Sequence, residues 1–115
     1  METENERIER YRQAIQDLLN YMAGGPVLGT SIYDQALFDT QQDRYAVIGV
    51  GWDNEKYCCD VVALIEIIDG KVWIQANNTD VAIPRKLWEA GVAKGDMVLG
   101  YRPLELGVSW EMATN

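Results

Sequence analysis

Tyr45-Ala46-Val47-Ile48-Gly49-Val50-Gly51-Trp52-Asp53 leads through the polar break Asn54-Glu55-Lys56 into a long apolar run ending at Ile68. The turn Asp69-Gly70 and then Lys71-Val72-Trp73-Ile74-Gln75-Ala76-Asn77 follow. β-Branched and aromatic residues bounded by turn residues predict strands. Arg44 to Asp53 is apolar on both faces: Tyr45, Val47 and Gly49 on one, and Ala46, Ile48, Val50 and Trp52 on the other. Such a strand belongs in the middle of a sheet. Glycines inside a strand, here Gly49 and Gly51, mark a bulge or a close backbone approach. Residues 53–56 read as a hairpin loop. The next strand is predicted over residues 57–68, with Tyr57, Cys59, Val61, Ala63, Ile65 and Ile67 forming a wholly apolar face. Its other face, Cys58, Asp60, Val62, Leu64, Glu66 and Ile68, is mixed. Asp69-Gly70 is a two-residue hairpin turn. In the strand after it, Val72, Ile74 and Ala76 alternate against Trp73, Gln75 and Asn77. The whole reads as an antiparallel meander.

Outward from this block, residues 5–22 carry Ile8, Tyr11, Ile15, Leu18, Leu19 and Met22 at intervals of three and four, one apolar stripe of a helix. Thr3 and Glu6 fit a capping box, with Asn5 as an alternative cap. Gly24-Gly25-Pro26 ends that helix. Residues 32–40 form a weaker strand around Leu37 and Phe38. After the meander a second helix is expected, capped by Thr79 or Asp80, with Pro84 in its first turn and Gly91 at its stop. Val81, Leu87 and Trp88 are its inward residues. Residues 97–101 make a short fifth strand. The tail, residues 102–115, contains Pro103 and Gly107, and its Trp110 and Met112 indicate packing. The fold class is α+β: an antiparallel sheet of about four to five strands, with an N-terminal helix and a second helix packed on one face. Residues 1–115 form a single domain.

The chain has 115 residues, a net charge of −8 and ten basic residues in all, which are scattered. Direct, sequence-independent binding to nucleic acid or anionic lipid needs clustered Lys and Arg, so neither is expected. Histidine is absent, which removes the most versatile general base and the commonest metal ligand. Cys58 and Cys59 are neighbours that point to opposite faces of a strand and are poorly placed to bridge each other. The acidic N-terminus lacks the apolar core of a signal peptide, no apolar run reaches the roughly 20 residues of a membrane span, and a cytoplasmic protein is expected. Asn77-Asn78-Thr79 matches a glycosylation pattern without a secretion signal to go with it.

No catalytic constellation emerges. Glu66, Asp69 and Lys71 resemble the acid and lysine arrangement of metal-dependent nucleases, but Asp69-Gly70 is fully accounted for as a turn. A nuclease also needs convergent acids and basic surface. Asp53-Asn54-Glu55 lacks the ligand spacing of a calcium loop. Residues 24–30 follow a helix instead of preceding one and lack the phosphate-loop ending. No metal or cofactor is expected. Among Trp52, Trp73, Trp88 and Trp110, Trp73 sits on the more polar strand face beside Gln75, where an aromatic suits a protein interface. Trp52, Trp73 and Gln75 are the candidate interface residues.

Phe38-Asp39-Thr40, Tyr45, Val50-Gly51-Trp52-Asp53, Asp69-Gly70-Lys71-Val72-Trp73-Ile74-Gln75, Thr79, Gly91-Val92 and Asp96-Met97-Val98-Leu99-Gly100-Tyr101 together resemble the XisI family. These are the fdxN element excision controlling factors, known chiefly from cyanobacteria. The resemblance implies a role in excising a DNA element that interrupts a nitrogen-fixation operon during heterocyst differentiation. A separate recombinase performs the strand exchange, and XisI-like proteins act beside XisH-like proteins. No catalytic residue carries over. Homologues tend to have a histidine where this chain has Arg102, so a role tied to that histidine does not transfer. The residues agree with a non-enzymatic controlling factor that meets an XisH-like partner, and with a homo-oligomer. A recombinase would gather arginines around its nucleophile, whereas Arg44, Arg85 and Arg102 are far apart in sequence. The alternatives are a small metal-dependent carboxylate hydrolase or nuclease, and an acidic antitoxin-like inhibitor of a nucleic-acid-binding partner.

Overall fold

The computed structural model describes residues 1–102. The expectations for the tail lie outside them, except for Arg102. Helix α1 spans Glu4–Met22, followed by β1 (Gly25–Pro26), β2 (Tyr33–Asp39), β3 (Arg44–Asp53), β4 (Lys56–Ile68) and β5 (Lys71–Asn77). Helix α2 (Ile83–Glu89), a 3-10 turn (Lys94–Asp96) and β6 (Met97–Leu99) complete the described chain.

Helix α1 begins where the capping box places it. The Glu6 backbone N–H donates to Thr3 Oγ1 at 3.1 Å, and Thr3 N–H donates back to Glu6 Oε1 at 3.0 Å. Two otherwise orphaned donors are thereby satisfied. The turn between β4 and β5 has Asp69 at φ 51° and Gly70 at φ 78°. Two consecutive left-handed residues suit the twist of a tight hairpin.

The described strands form one sheet in the order β1-β2-β3-β4-β5-β6. Strands β2 to β5 are the expected antiparallel meander. The sheet is larger than expected because β1 adds two residues at one edge. It is also mixed, because β6 pairs parallel to β5. A parallel neighbour requires a crossover, and α2 supplies it. Strand β6 ends at Leu99: Gly100 N–H makes a last bond across to the Ile74 carbonyl at 2.9 Å, and the chain then turns, with Arg102 N–H donating back to the Leu99 carbonyl at 3.1 Å.

Both helices pack on one sheet face. Tyr11, Ala14, Ile15 and Leu19 of α1, Ile83 and Leu87 of α2, and Val92 are buried. They meet Tyr45, Val47, Ala63, Ile65, Val72, Ile74 and Leu99 from the sheet. Each large aliphatic side chain buried there contributes about 1.5–3 kcal/mol. Charged clamps border this core. Arg12 grips Asp43 with two bonds, at 2.7 and 3.0 Å, and the Tyr45 hydroxyl donates to the same carboxylate at 2.7 Å. Arg7 and the Tyr11 hydroxyl both donate to Asp96, each at 2.6 Å.

Several expectations are corrected here. Helix α2 starts at Ile83 with Ala82 in the cap position and no side-chain cap, not at Thr79 or Asp80. Thr79 is occupied elsewhere: its hydroxyl donates to Asn77 Oδ1 at 2.5 Å and accepts from Val81 N–H at 3.1 Å. Trp88 is exposed, not inward, with the Lys94 ammonium 4.7 Å from its ring centroid. The apolar face predicted for residues 57–68 is split by a bulge. Val47 pairs with Ala63, but Ile48 pairs with Val61, so Val62 is an extra residue. Side chains alternate along a strand, and one extra residue reverses their parity. Ala63 and Ile65 face the helices, while Tyr57, Cys59 and Val61 face away. A second bulge does the same in β5. Ala76 pairs with Leu64 and Ile74 with Ile65, which leaves Gln75 extra. Ala76 turns outward with Gln75, and Asn77, opposite Ala63, turns into the core.

Candidate functional site

The sheet face opposite the helices carries many of the exposed large apolar side chains among the described residues. Directly opposed residues share a face, so the register lays it out in rows. The basal row is Asp39, Arg44, Glu66, Trp73 and Val98. Next come Leu37, Ala46, Leu64 and Ala76, then Gln35, Ile48 and Val61, then Tyr33, Val50 and Cys59, and at the tip Trp52 and Tyr57. Four of the five rows are mostly apolar. Among the described residues no element packs on this face. Trp52 is 52% exposed and Tyr57 55%, and Tyr33, Leu37 and Val61 are exposed as well.

The tip is held by its own aromatic pair. The Trp52 and Tyr57 rings meet edge-on with centroids 5.2 Å apart, a geometry favoured by the ring quadrupoles. Behind them, Ser31 N–H donates to the Trp52 carbonyl at 2.8 Å. A Cβ on Gly51 would collide with the Ser31 carbonyl oxygen, and Gly51 sits at φ 143°. The close approach expected at the strand glycines is therefore real at Gly51. The base of the face is polar. Arg44 Nε donates to Glu66 at 3.2 Å, and Gln75 Nε2 donates to the other Glu66 oxygen at 3.1 Å.

Trp52, Trp73 and Gln75, the three candidate interface residues, all lie on this face. They do not form one patch. Trp73 and Gln75 are half-buried at the base and Trp52 is exposed at the tip, eight residues along β3 from Arg44 in the Trp73 row, roughly 27 Å. Sequence reasoning missed Tyr57 and Val61, which the bulge at Val62 moves from the assumed core face to the open one. Tyr33 and Leu37 were missed because β2 alternates weakly. The only available signal was the run of paired apolar residues around Val61-Val62.

The groups that suggested metal chemistry do not converge. Glu66 is on the open face, engaged with Arg44 and Gln75. Asp69 is exposed in its turn, and Lys71 reaches to the Gly95 carbonyl at 3.1 Å. Among the described residues no group of three or more His, Cys, Asp or Glu is arranged to hold a metal ion. Cys58 and Cys59 are free thiols.

The ionisable groups with the firmest environments belong to the helix clamps. Arg12, and then the Tyr45 hydroxyl, hold the Asp43 carboxyl below its usual range against the opposing effect of burial. Burial and the Asp43 charge push the Tyr45 hydroxyl well up. These groups fasten α1 to the sheet. A shallow cleft of about 760 Å³ lies between α1 and α2, where Ala14, Leu18 and Tyr21 face Lys86. Arg10 at its edge is engaged with Glu2 and the Gly91 carbonyl, and Gln13 donates to Asp17 at 2.8 Å.

No helix among the described residues is long and apolar enough to cross a membrane. Comparison with curated proteins gives no match. Among solved structures, the fdxN element excision controlling factor XisI from Anabaena variabilis ATCC 29413 is similar with a TM-score of 0.73 and 26% identity. The match covers 87% of this chain and 97% of that one. A XisI-like protein from the same strain has a TM-score of 0.75 and 31% identity, covering 81% of this chain and 85% of the other. The family described as XisI protein matches residues 5–114, nearly the whole sequence. The chain belongs to the XisI family.

Proposed function

We propose that this protein is an excision controlling factor of the fdxN-element type, acting through protein contacts and performing no bond chemistry of its own. The observation that carries this reading is the match to the family over residues 5–114, with a relative named as such a factor at 26% identity. The surface supports it. A net charge of −8 disfavours direct contact with DNA, so access to a recombination site has to come through another protein. An apolar face with aromatic residues that no element covers among the described residues is the kind of surface that meets one.

The partner is an XisH-like protein, encounter takes place in the cytoplasm, and the contact face is the open sheet face with Trp52, Trp73 and Gln75. Co-purification of this chain with an XisH-like protein tests the reading. Stable association at micromolar concentration is the expected result. No association at that concentration, with both proteins folded, overturns it.

A further inference from the structure

We infer that residues 93–102, which carry the 3-10 turn and β6, form a strap over the outer edge of β5, that α1 holds this strap shut through Asp96, and that the strap opens as a unit while the β2–β5 meander stays folded. The inference goes beyond the controlling-factor reading and does not depend on it.

The strap has little apolar hold of its own. Strand β6 is three residues long and pairs parallel to Val72, Trp73 and Ile74. Parallel pairing is slightly less stable per residue than antiparallel, and a strand this short falls below the usual five or six residues. Within residues 93–102 only Leu99 is buried. Val92, buried beside α2, is the fixed end from which the strap departs. A segment with so few buried contacts is the kind that opens ahead of the rest of a domain.

Most of what fastens the strap is polar and reaches it from α1. One oxygen of Asp96 accepts from Arg7 and from the Tyr11 hydroxyl, each at 2.6 Å. The Tyr11 hydroxyl in turn accepts from Ala93 N–H at 3.3 Å. From β5, the Lys71 ammonium donates to the Gly95 carbonyl at 3.1 Å and lies 3.9 Å from the other Asp96 oxygen. On the α2 side, Lys94 lies over the exposed Trp88 ring. Asp96 is thus the one strap side chain that meets both α1 and β5. Its side chain is 25% exposed and Tyr11 is buried, so these charge-assisted bonds are partly shielded from water and belong to the stronger kind. Without the carboxylate, the Tyr11 hydroxyl would be left inside with no acceptor, which is the costly way to lose a hydrogen bond.

The far end of the strap is tied by the bond from Gly100 N–H to the Ile74 carbonyl, and that amide reports whether the strap is shut. Shut, β6 covers β5. Open, it bares a row of backbone donors and acceptors from Val72 to Ile74, the type of edge to which a further strand adds. The strap is an edge guard, and Asp96 is its latch.

Native-state hydrogen exchange on the full chain, read amide by amide, tests the strap. The Gly100 amide is expected to exchange faster than the amides of the central strand β3. Asp96→Ala should speed Gly100 exchange by about a hundredfold, as expected for two lost bonds to a charged group. Tyr11→Phe keeps the ring packed and removes one of them, and should speed it by about tenfold. Leu19→Ala, which weakens the core under α1, should speed the β3 amides and leave Gly100 near its parent rate, because the open-strap state keeps that core. Equal rates at Gly100 and β3 in the parent overturn the inference. So does a Leu19→Ala variant that speeds both alike, since the strap then opens only with the whole domain. Gly100 exchange unmoved by both Asp96→Ala and Tyr11→Phe removes the latch. No partner enters these measurements, so their failure leaves the controlling-factor reading standing, and failure to bind an XisH-like protein leaves the strap standing.

Discussion

The two faces of one sheet are built from the same strands and nearly the same residue types, yet they have opposite fates. On the helix side, Tyr45, Val47, Ala63 and Ile65 are fully buried. On the other side, Ala46, Ile48, Val50 and Leu64 are only half-covered, and Trp52, Tyr57 and Val61 are exposed. Hydrophobicity along a strand does not say which face is core. The decision comes from what the rest of the chain can bring over it. Helix α1 offers one stripe, α2 is seven residues long, and together they suffice for one face. Among the described residues the second apolar face is left without a covering element, and it is the surface on which the proposed function rests.

This contrast can be broken in graded ways. The largest effect is expected in the covered half. Leu19→Ala or Ile65→Ala leaves a cavity among fully buried side chains and should cost about 2–5 kcal/mol in chemical denaturation. If Val61→Ala on the open face costs as much, the two faces are not different in kind. Gly51→Ala is expected to cost about 3 kcal/mol, because it combines a backbone conformation that side chains rarely adopt with collision against Ser31. Loss of stability without loss of the helix signal would place the damage in the tip.

Asp43→Asn follows, at about 1–3 kcal/mol, since it weakens the acceptor shared by Arg12 and Tyr45. Its pH dependence has a definite sign. The folded carboxyl titrates below the ordinary value of 3.8. Its stabilisation is therefore complete above that value and is lost as pH falls through the lower, folded one. An acid denaturation series should show a shallower decline for Asp43→Asn than for the parent, and parallel curves would dissociate the clamp from acid stability. The smallest effect on folding is expected for Trp52→Ala, below about 1 kcal/mol as for most surface changes. That same variant should abolish association, and a large stability loss with association intact would reverse the assignment of the tip.

Much of this architecture was readable from the residues. The limits of β3 and β5, the capping box at Thr3 and the turn at Asp69-Gly70 follow from local chemistry, which acts over a few residues. The bulges at Val62 and Gln75 do not, because an extra residue is a property of pairing between two strands and neither strand announces it alone. The same holds for the parallel placement of β6, which depends on where α2 lands, and for Trp88, whose large apolar ring suggested burial. The open face was legible in part. Trp52, Trp73 and Gln75, which lie on it, stand out in the sequence as aromatic residues beside polar ones on strands. Tyr57 and Val61 were hidden by parity.

The bulge at Val62 has a mechanical side. It interrupts the ladder between β3 and β4 near the point where helix cover ends. The strands on its Ala63 side are backed by α1, and those on its Tyr57 side only by a loop. Cooperative opening stops where buried contacts thin out. The hairpin tip is thus expected to exchange its amide protons through openings that leave the helix-backed base closed. Occupation of the open face would slow that exchange first, which makes the tip amides an internal gauge of whether the face is covered.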